Sequence, residues 1–212
     1  MKDFTVISRI AEVTFMVLAH PSVPVKNLPE LIAYAKANPD KVSVATDGAR
    51  RFSGMIAAWL NKLGGTKISY VPYTQMSQGI QDVLAGRVQL VIIAVPPAKG
   101  HIAAAKLRPL AVTSLKRLPE FPDVPAVSET FPGFDFAGWF ALAAPTGVPA
   151  AIIERLHKEV NAILRDPVVS GRLKGMGFVP YGGGTLEQTR AYVQAQHKAW
   201  GTLVHEIGLK PE

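Results

Sequence analysis

Apolar and polar positions follow two periods along this chain, and each change of period marks an element. From Val13 the run VTFMVLAH reads as a strand, ended by Pro21. In NLPELIAYAKANP, Leu28, Leu31, Ile32 and Ala35 fall on one helical face. Asn27 and Glu30 have capping-box spacing at its start, and Asn38-Pro39 stops it. KVSVAT is then a short strand, TDGARRFSG a polar turn, MIAAWLNKL a helix stopped at Gly64-Gly65, and KISYV another strand. SQGIQDVLAG is a helix with Ile80, Val83 and Leu84 on one face. VQLVIIA is a strand, VPPAKGHIAAAK a turn and short helix, and LRPLAVT a further strand.

Strand and helix thus alternate through the middle of the chain with short connections. That order predicts an α/β lobe with a mostly parallel sheet covered by helices. In such sheets ligands lie beyond the C-terminal strand ends. The turns expected there are 46–53, 72–77 and 94–98. From Ser114 to Gly147 prolines and aromatics crowd the chain, which predicts an irregular connection around one strand, GWFALAAP. Pro149 opens a helix to Arg165 with Ile153, Leu156, Val160, Ile163 and Leu164 as its stripe. Asp166-Pro167 caps a second helix, and FVPY is a strand. Thr185 and Gln188 form a second capping box. The final helix buries Val193, Trp200, Leu203, Val204 and Ile207. Trp139 is expected to serve packing in the core or at a hinge.

Composition narrows the class. Apolar residues make up 48% and charged residues 18%, which argues against disorder. No apolar run reaches the roughly 18–20 residues that span a bilayer. The N-terminus MKDFTVISRI shows no signal-peptide core and cleavage site, so a cytoplasmic location is expected if the chain is the complete product. There is no cysteine, hence no disulfide or thiolate chemistry. The net charge of +7 is scattered, with Arg50-Arg51 its densest pair, which argues against a nucleic-acid partner.

Candidate chemistry sits in the turns. Helix N-termini offer unpaired N–H groups and partial positive charge to a carboxylate. The ligand-binding candidates are Thr46, Asp47, Gly48, Ala49, Arg50, Ser53, Pro72, Tyr73, Thr74 and Gln75. Thr46, Ser53, Thr74 and Ser77 would donate hydroxyls, Tyr73 would pack and donate through its phenol, and Gln75 would read a second oxygen. Structural readings stand beside these. Asp47-Gly48 is also plain turn chemistry, Pro72 a strand stiffener, Tyr73 a core lid, and Arg50-Arg51 a solvated pair. The 46–53 turn lacks the GK[ST] ending of a phosphate loop. No cofactor, metal or catalytic residue is expected. His197 and His205 lack i,i+4 spacing, Ser53 lacks a G-x-S-x-G setting, and nothing in the sequence pairs Asp47 with Asp82.

The ordered set ELIAYAKANPDKVSVAT, ISYVPYTQMSQGIQDVLAGRVQL, LRPLAVTSLKRLPEFPDVPAVSE, GWFALAAPTGVP and LKGMGFVPYGGGTLEQTRAYVQ resembles the Bug family. These are extracytoplasmic, TctC-like solute receptors of tripartite tricarboxylate transporters. The likeness runs from about Asp3 to Leu209. It implies a periplasmic-binding-protein-like fold (type II, venus flytrap) with three-layer αβα lobes. It also implies capture of a small carboxylate, delivery to a membrane permease, a periplasmic location and no enzyme activity. Family members are longer at the N-terminus, so one lobe is expected to be incomplete here. The expected division is 22–116 as the second lobe with the ligand turns, and 1–21 plus 117–212 as crossover segments and the incomplete first lobe. An incomplete lobe implies weak, ~mM binding and a homodimer that covers its open edge. A truncated module acting through protein–protein contacts with no tight ligand is the alternative, and an enzyme acting on a small carboxylate is a third reading ranked below it. At TDGARRFSG, Ala49, Arg50 and Arg51 replace the family's small residues, and no His follows.

Overall fold

The computed structural model describes residues 3–209. The chain divides into two compact units, Met1–Val13 with Gly138–Leu203, and Thr14–Ala137 with Val204–Glu212.

The larger unit is a five-stranded sheet in the order β4-β3-β5-β2-β6. Its strands are β2 (Phe15–Ala19), β3 (Ser43–Thr46), β4 (Ser69–Pro72), β5 (Leu90–Ala94) and β6 (Arg108–Val112). β3 runs parallel to both β4 and β5. β2 is antiparallel to β5 and β6, so the other four strands share one direction. The three strands expected to share a sheet do so. β2 is the departure. It lies between β5 and β6, so the unit takes in residues on both sides of the expected 22–116 span. An N-terminal strand can enter there because the β5-to-β6 connection passes over it through α4 (Val95–Ala103).

Both faces of the sheet's centre are covered, which is why β2 and β5 read as unbroken apolar runs. On one face Val17, Val44, Leu90 and Ile92 meet Leu28 and Leu31 of α1 (Leu28–Ala37) and Ala57 and Leu60 of α2 (Phe52–Gly64). On the other, Met16, Leu18, Val91 and Ile93 pack with Val83 of α3 (Met76–Leu84) and Ala98 of α4. The helix ends follow local chemistry. The Asn27 carboxamide accepts from Glu30 N–H at 2.9 Å, and Glu30 returns the bond to the Lys26 N–H at 2.8 Å. Such a cap stabilises by about 1 kcal/mol. The proline-rich segment is ordered by aromatic packing. Phe134 stacks on Trp59 at 4.3 Å, and Phe136 meets Phe52 edge-on at 5.6 Å. It also holds a short helix, α5 (Val127–Thr130).

The smaller unit has a three-stranded antiparallel sheet, β7-β1-β8. β1 (Phe4–Val13) was not expected as a strand; β7 (Gly138–Pro145) and β8 (Val179–Pro180) were. α6 (Ala150–Arg165) packs on β1, and α7 (Pro167–Gly175) follows, capped by the Asp166 carboxylate on the Val168 and Val169 N–H groups. α8 (Leu186–Glu206) opens on the reciprocal Thr185–Gln188 bonds. The expected α6 stripe holds at Ile153 and Leu164. It fails at Leu156 and Ile163, which are exposed. On α8, Val193 and Leu203 are buried, whereas Trp200 and Val204 are half-buried. Residues 1–2 and 210–212, part of the expected first lobe, lie outside the described residues.

Candidate functional site

The ends of β3 and β4 lie side by side, with Thr46 opposite Pro72. One more bond, from Tyr73 N–H to the Thr46 carbonyl at 2.8 Å, extends the ladder past both strands. The sheet thereby brings two turns together that are some 26 residues apart in sequence. Asp47, Arg51, Pro72, Tyr73 and Thr74 line one open depression of about 400 Å³ there.

The first turn is held by its own carboxylate. Asp47 Oδ1 accepts from the Ser53 N–H at 3.2 Å and from the Ser53 hydroxyl, which in turn accepts from the Asp47 N–H at 2.8 Å. The Gly48 carbonyl accepts from Arg51 N–H at 3.1 Å and lies tight against α2. A Cβ at Gly54 would stand 2.1 Å from that carbonyl oxygen, so a side chain there would displace the turn. The N-terminus of α2 is therefore partly occupied by an internal anion. It is not the open carboxylate seat expected from sequence.

Tyr73 is fixed over α3. Its ring lies against Gly79, where a Cβ would approach Cδ2 to 2.9 Å. Its hydroxyl donates to Asp82 Oδ2 at 2.7 Å, and Arg87 bonds the other oxygen, Oδ1, through Nε at 3.0 Å. Burial, then the bond to Asp82, raises the phenol pKa. The Tyr73 bond, then Arg87, holds the Asp82 carboxyl below the usual carboxylate range. The ring can pack on a ligand, but its hydroxyl already serves Asp82.

The remaining candidates fall in different places. Thr46 is 1% exposed, with a hydroxyl that finds no partner among the described residues, and Ser53 is 2% exposed with its hydroxyl turned to Asp47. Neither presents a donor to solvent, because both sit under the turn. Gly48 builds the turn, whereas Ala49 and Arg50 are exposed beside the lining. Gln75 is exposed and precedes α3 without a side-chain cap bond. Arg51, not Arg50, lines the depression. The third expected turn, 94–98, is closed. α4 starts directly after β5, and the Val95 N–H bonds the Thr14 carbonyl at 3.0 Å. Sequence reasoning missed Asp82 and Arg87 as supports of Tyr73. The signal was Gly79, one turn before Val83 on the inner face of α3, which leaves room for a ring.

Among the described residues no cluster of three His, Cys, Asp or Glu could hold a metal ion, and no helix is long and apolar enough to cross a membrane.

Residues 1–209 match the Tripartite tricarboxylate transporter family receptor, TctC. The UPF0065 protein in the tcbD-tcbE intergenic region of a Pseudomonas species is 30% identical over 210 residues, covering 98% of this chain and 62% of that protein. The chain thus spans less than two thirds of that relative's length. An R. palustris protein, Rpa4515, solved with adipate, is 30% identical with TM-score 0.85, over 100% of this chain and 71% of the other. The periplasmic binding protein BugD is 29% identical with TM-score 0.83, over 99% and 71%. The family match over residues 1–209 and the shared architecture agree: the chain belongs to the tripartite tricarboxylate transporter receptor family, a family of solute-binding proteins rather than enzymes, and has part of the type II periplasmic-binding-protein fold.

Proposed function

We propose that this chain captures a small carboxylate outside the cytoplasm and presents it to the membrane permease of a tripartite tricarboxylate transporter. Family membership supports the class. The observation that carries the reading is the depression at the paired ends of β3 and β4. It offers a basic side chain, a clamped aromatic ring and the exposed Thr74 within about 400 Å³. That volume suits a ligand of a few carbons. Adipate in the Rpa4515 structure supports a short carboxylate as the cargo, and BugD supports a periplasmic location.

Isothermal titration with a panel of short mono- and dicarboxylates, adipate included, tests this. We expect saturable binding, weakened by about 1–3 kcal/mol in Tyr73→Ala and in Thr74→Ala, the order for losing a buried contact partner. No heat with any carboxylate contradicts the reading, and binding indifferent to both substitutions places the site elsewhere.

A protein–protein role is the second reading. It is supported by exposed apolar side chains on the smaller unit, with Phe140 at 51% and Ile163 at 55% exposure.

A further inference from the structure

Within the smaller unit an open groove of about 590 Å³ runs between the start of β1 and one face of α8. Phe4, Thr5 and Val6 form one wall, and Arg190, Gln194 and His197 the other. The strand wall is a free edge. β7 takes one side of β1 along its length, but β8 takes the other side only at Ala11 and Glu12. The Asp3 carbonyl accepts from the Thr146 N–H at 3.0 Å, just past the end of the β1–β7 ladder. Backbone groups alternate in direction along a strand, so those of Thr5 also face β7, whereas those of Phe4 and Val6 turn into the groove. Farther along, His157 takes the Ile7 carbonyl at 2.7 Å, and the Tyr181 N–H takes the Ile10 carbonyl at 3.0 Å. The helix wall is anchored beside this edge: the Tyr192 hydroxyl donates to Glu12 at 3.0 Å, and its ring lies 3.7 Å from the Arg9 guanidinium. Arg190, Gln194 and His197 are exposed and make no hydrogen bond or ion pair among the described residues.

We propose that this groove takes an extended, acidic peptide segment of another protein, which adds to β1 as a further strand. The N–H and C=O groups of Phe4 and Val6 call for backbone partners in register, which an extended chain supplies. The exposed Phe4 ring receives an apolar side chain of that segment, and Arg190 receives a carboxylate. Charge complementarity selects the occupant, because the unpaired arginine is rewarded only by an acid. A second copy of this chain is a poorer fit: neither β7 nor Phe4–Val6 offers an acidic side chain. The groove lies wholly in the smaller unit, so the proposal goes beyond the carboxylate reading and does not depend on it.

Fluorescence anisotropy of labelled hexapeptides titrated with the full chain tests this. The probes are an alternating Val-Glu peptide, its Val-Lys counterpart, and the Val-Glu peptide with every amide N-methylated, which cannot donate to a strand edge. The Val-Glu peptide is expected to bind saturably and about tenfold tighter than the Val-Lys peptide. N-methylation is expected to abolish that binding. Arg190→Glu, a change at an exposed position, is expected to reverse the order of the two charged peptides while leaving carboxylate titration as in wild type. Equal binding of the charged peptides, binding that survives N-methylation, or no peptide binding overturns the proposal and leaves the carboxylate reading intact. Light scattering adds one more contrary outcome: a mass that rises with concentration in wild type but not in Arg190→Glu would assign the edge to a second copy.

Discussion

The Tyr73 phenol donates to Asp82, and the Asp47 carboxylate accepts from Ser53. Both residues read from sequence as ligand contacts, and both prove to have internal partners first. Neither partnership was visible from local pattern, because Tyr73 and Asp82 are nine residues apart across a turn and meet only when α3 folds back on β4. Thr46 and Ser53 were named for their hydroxyls, but whether a turn residue points outward depends on the strand end it leaves. Glu129 gives a direct test at this scale. Its carboxylate takes Arg117 Nε at 2.8 Å and Nη2 at 2.7 Å, and also accepts from the Ala126 N–H at 2.8 Å. These bonds, Arg117 first, lower its pKa from 4.5 to about 2. The unfolded chain takes up this proton near its ordinary value, whereas the folded chain resists until about pH 2. The contribution to stability is therefore complete above 4.5 and is lost as the pH falls toward 2. Tm measured across that range is expected to place wild type above Glu129→Gln at neutral pH, with the gap narrowing below pH 4.5. A gap that stays constant with pH would show that the ion pair does not carry the effect.

Helices were legible because their ends are written locally. Asn27 with Glu30, Asp166 before Pro167, and Thr185 with Gln188 each cap a helix at the expected place. Strands were most legible where both faces are buried and the apolar run is continuous, as in β5. β1 was not, for a physical reason. Its register against β7 shifts between Val6 and Ser8 and again between Arg9 and Ala11, so the two-residue alternation breaks twice within ten residues. Its partner β7 begins more than a hundred residues later. β7 itself is an edge strand, bonded only to β1 among the described residues. It carries no charge, and Phe140 and Leu142 stand exposed two residues apart, 51% and 37%. Such an edge recruits another strand unless it is blocked. We expect this chain to self-associate through it, with light scattering showing a mass that rises with concentration and falls back in Phe140→Lys. A strictly monomeric chain at every concentration contradicts this.

On the scale of the whole molecule, fold class was readable and the composition of each unit was not. The alternation of strand and helix pointed to an α/β sheet, and β3, β4 and β5 share one. The antiparallel β2 belongs to that same sheet, because strand order is set by long-range pairing that no short window contains. The proposed ligand capture rests on this topology, since the pairing of Thr46 with Pro72 sets the 46–53 and 72–77 turns side by side. Amide hydrogen exchange, with and without a saturating short carboxylate, tests that claim most directly. The account predicts ligand-dependent protection concentrated at 47–54 and 72–77, with little change in β6 or α8. Protection confined to other segments, or none at any ligand concentration, would contradict it.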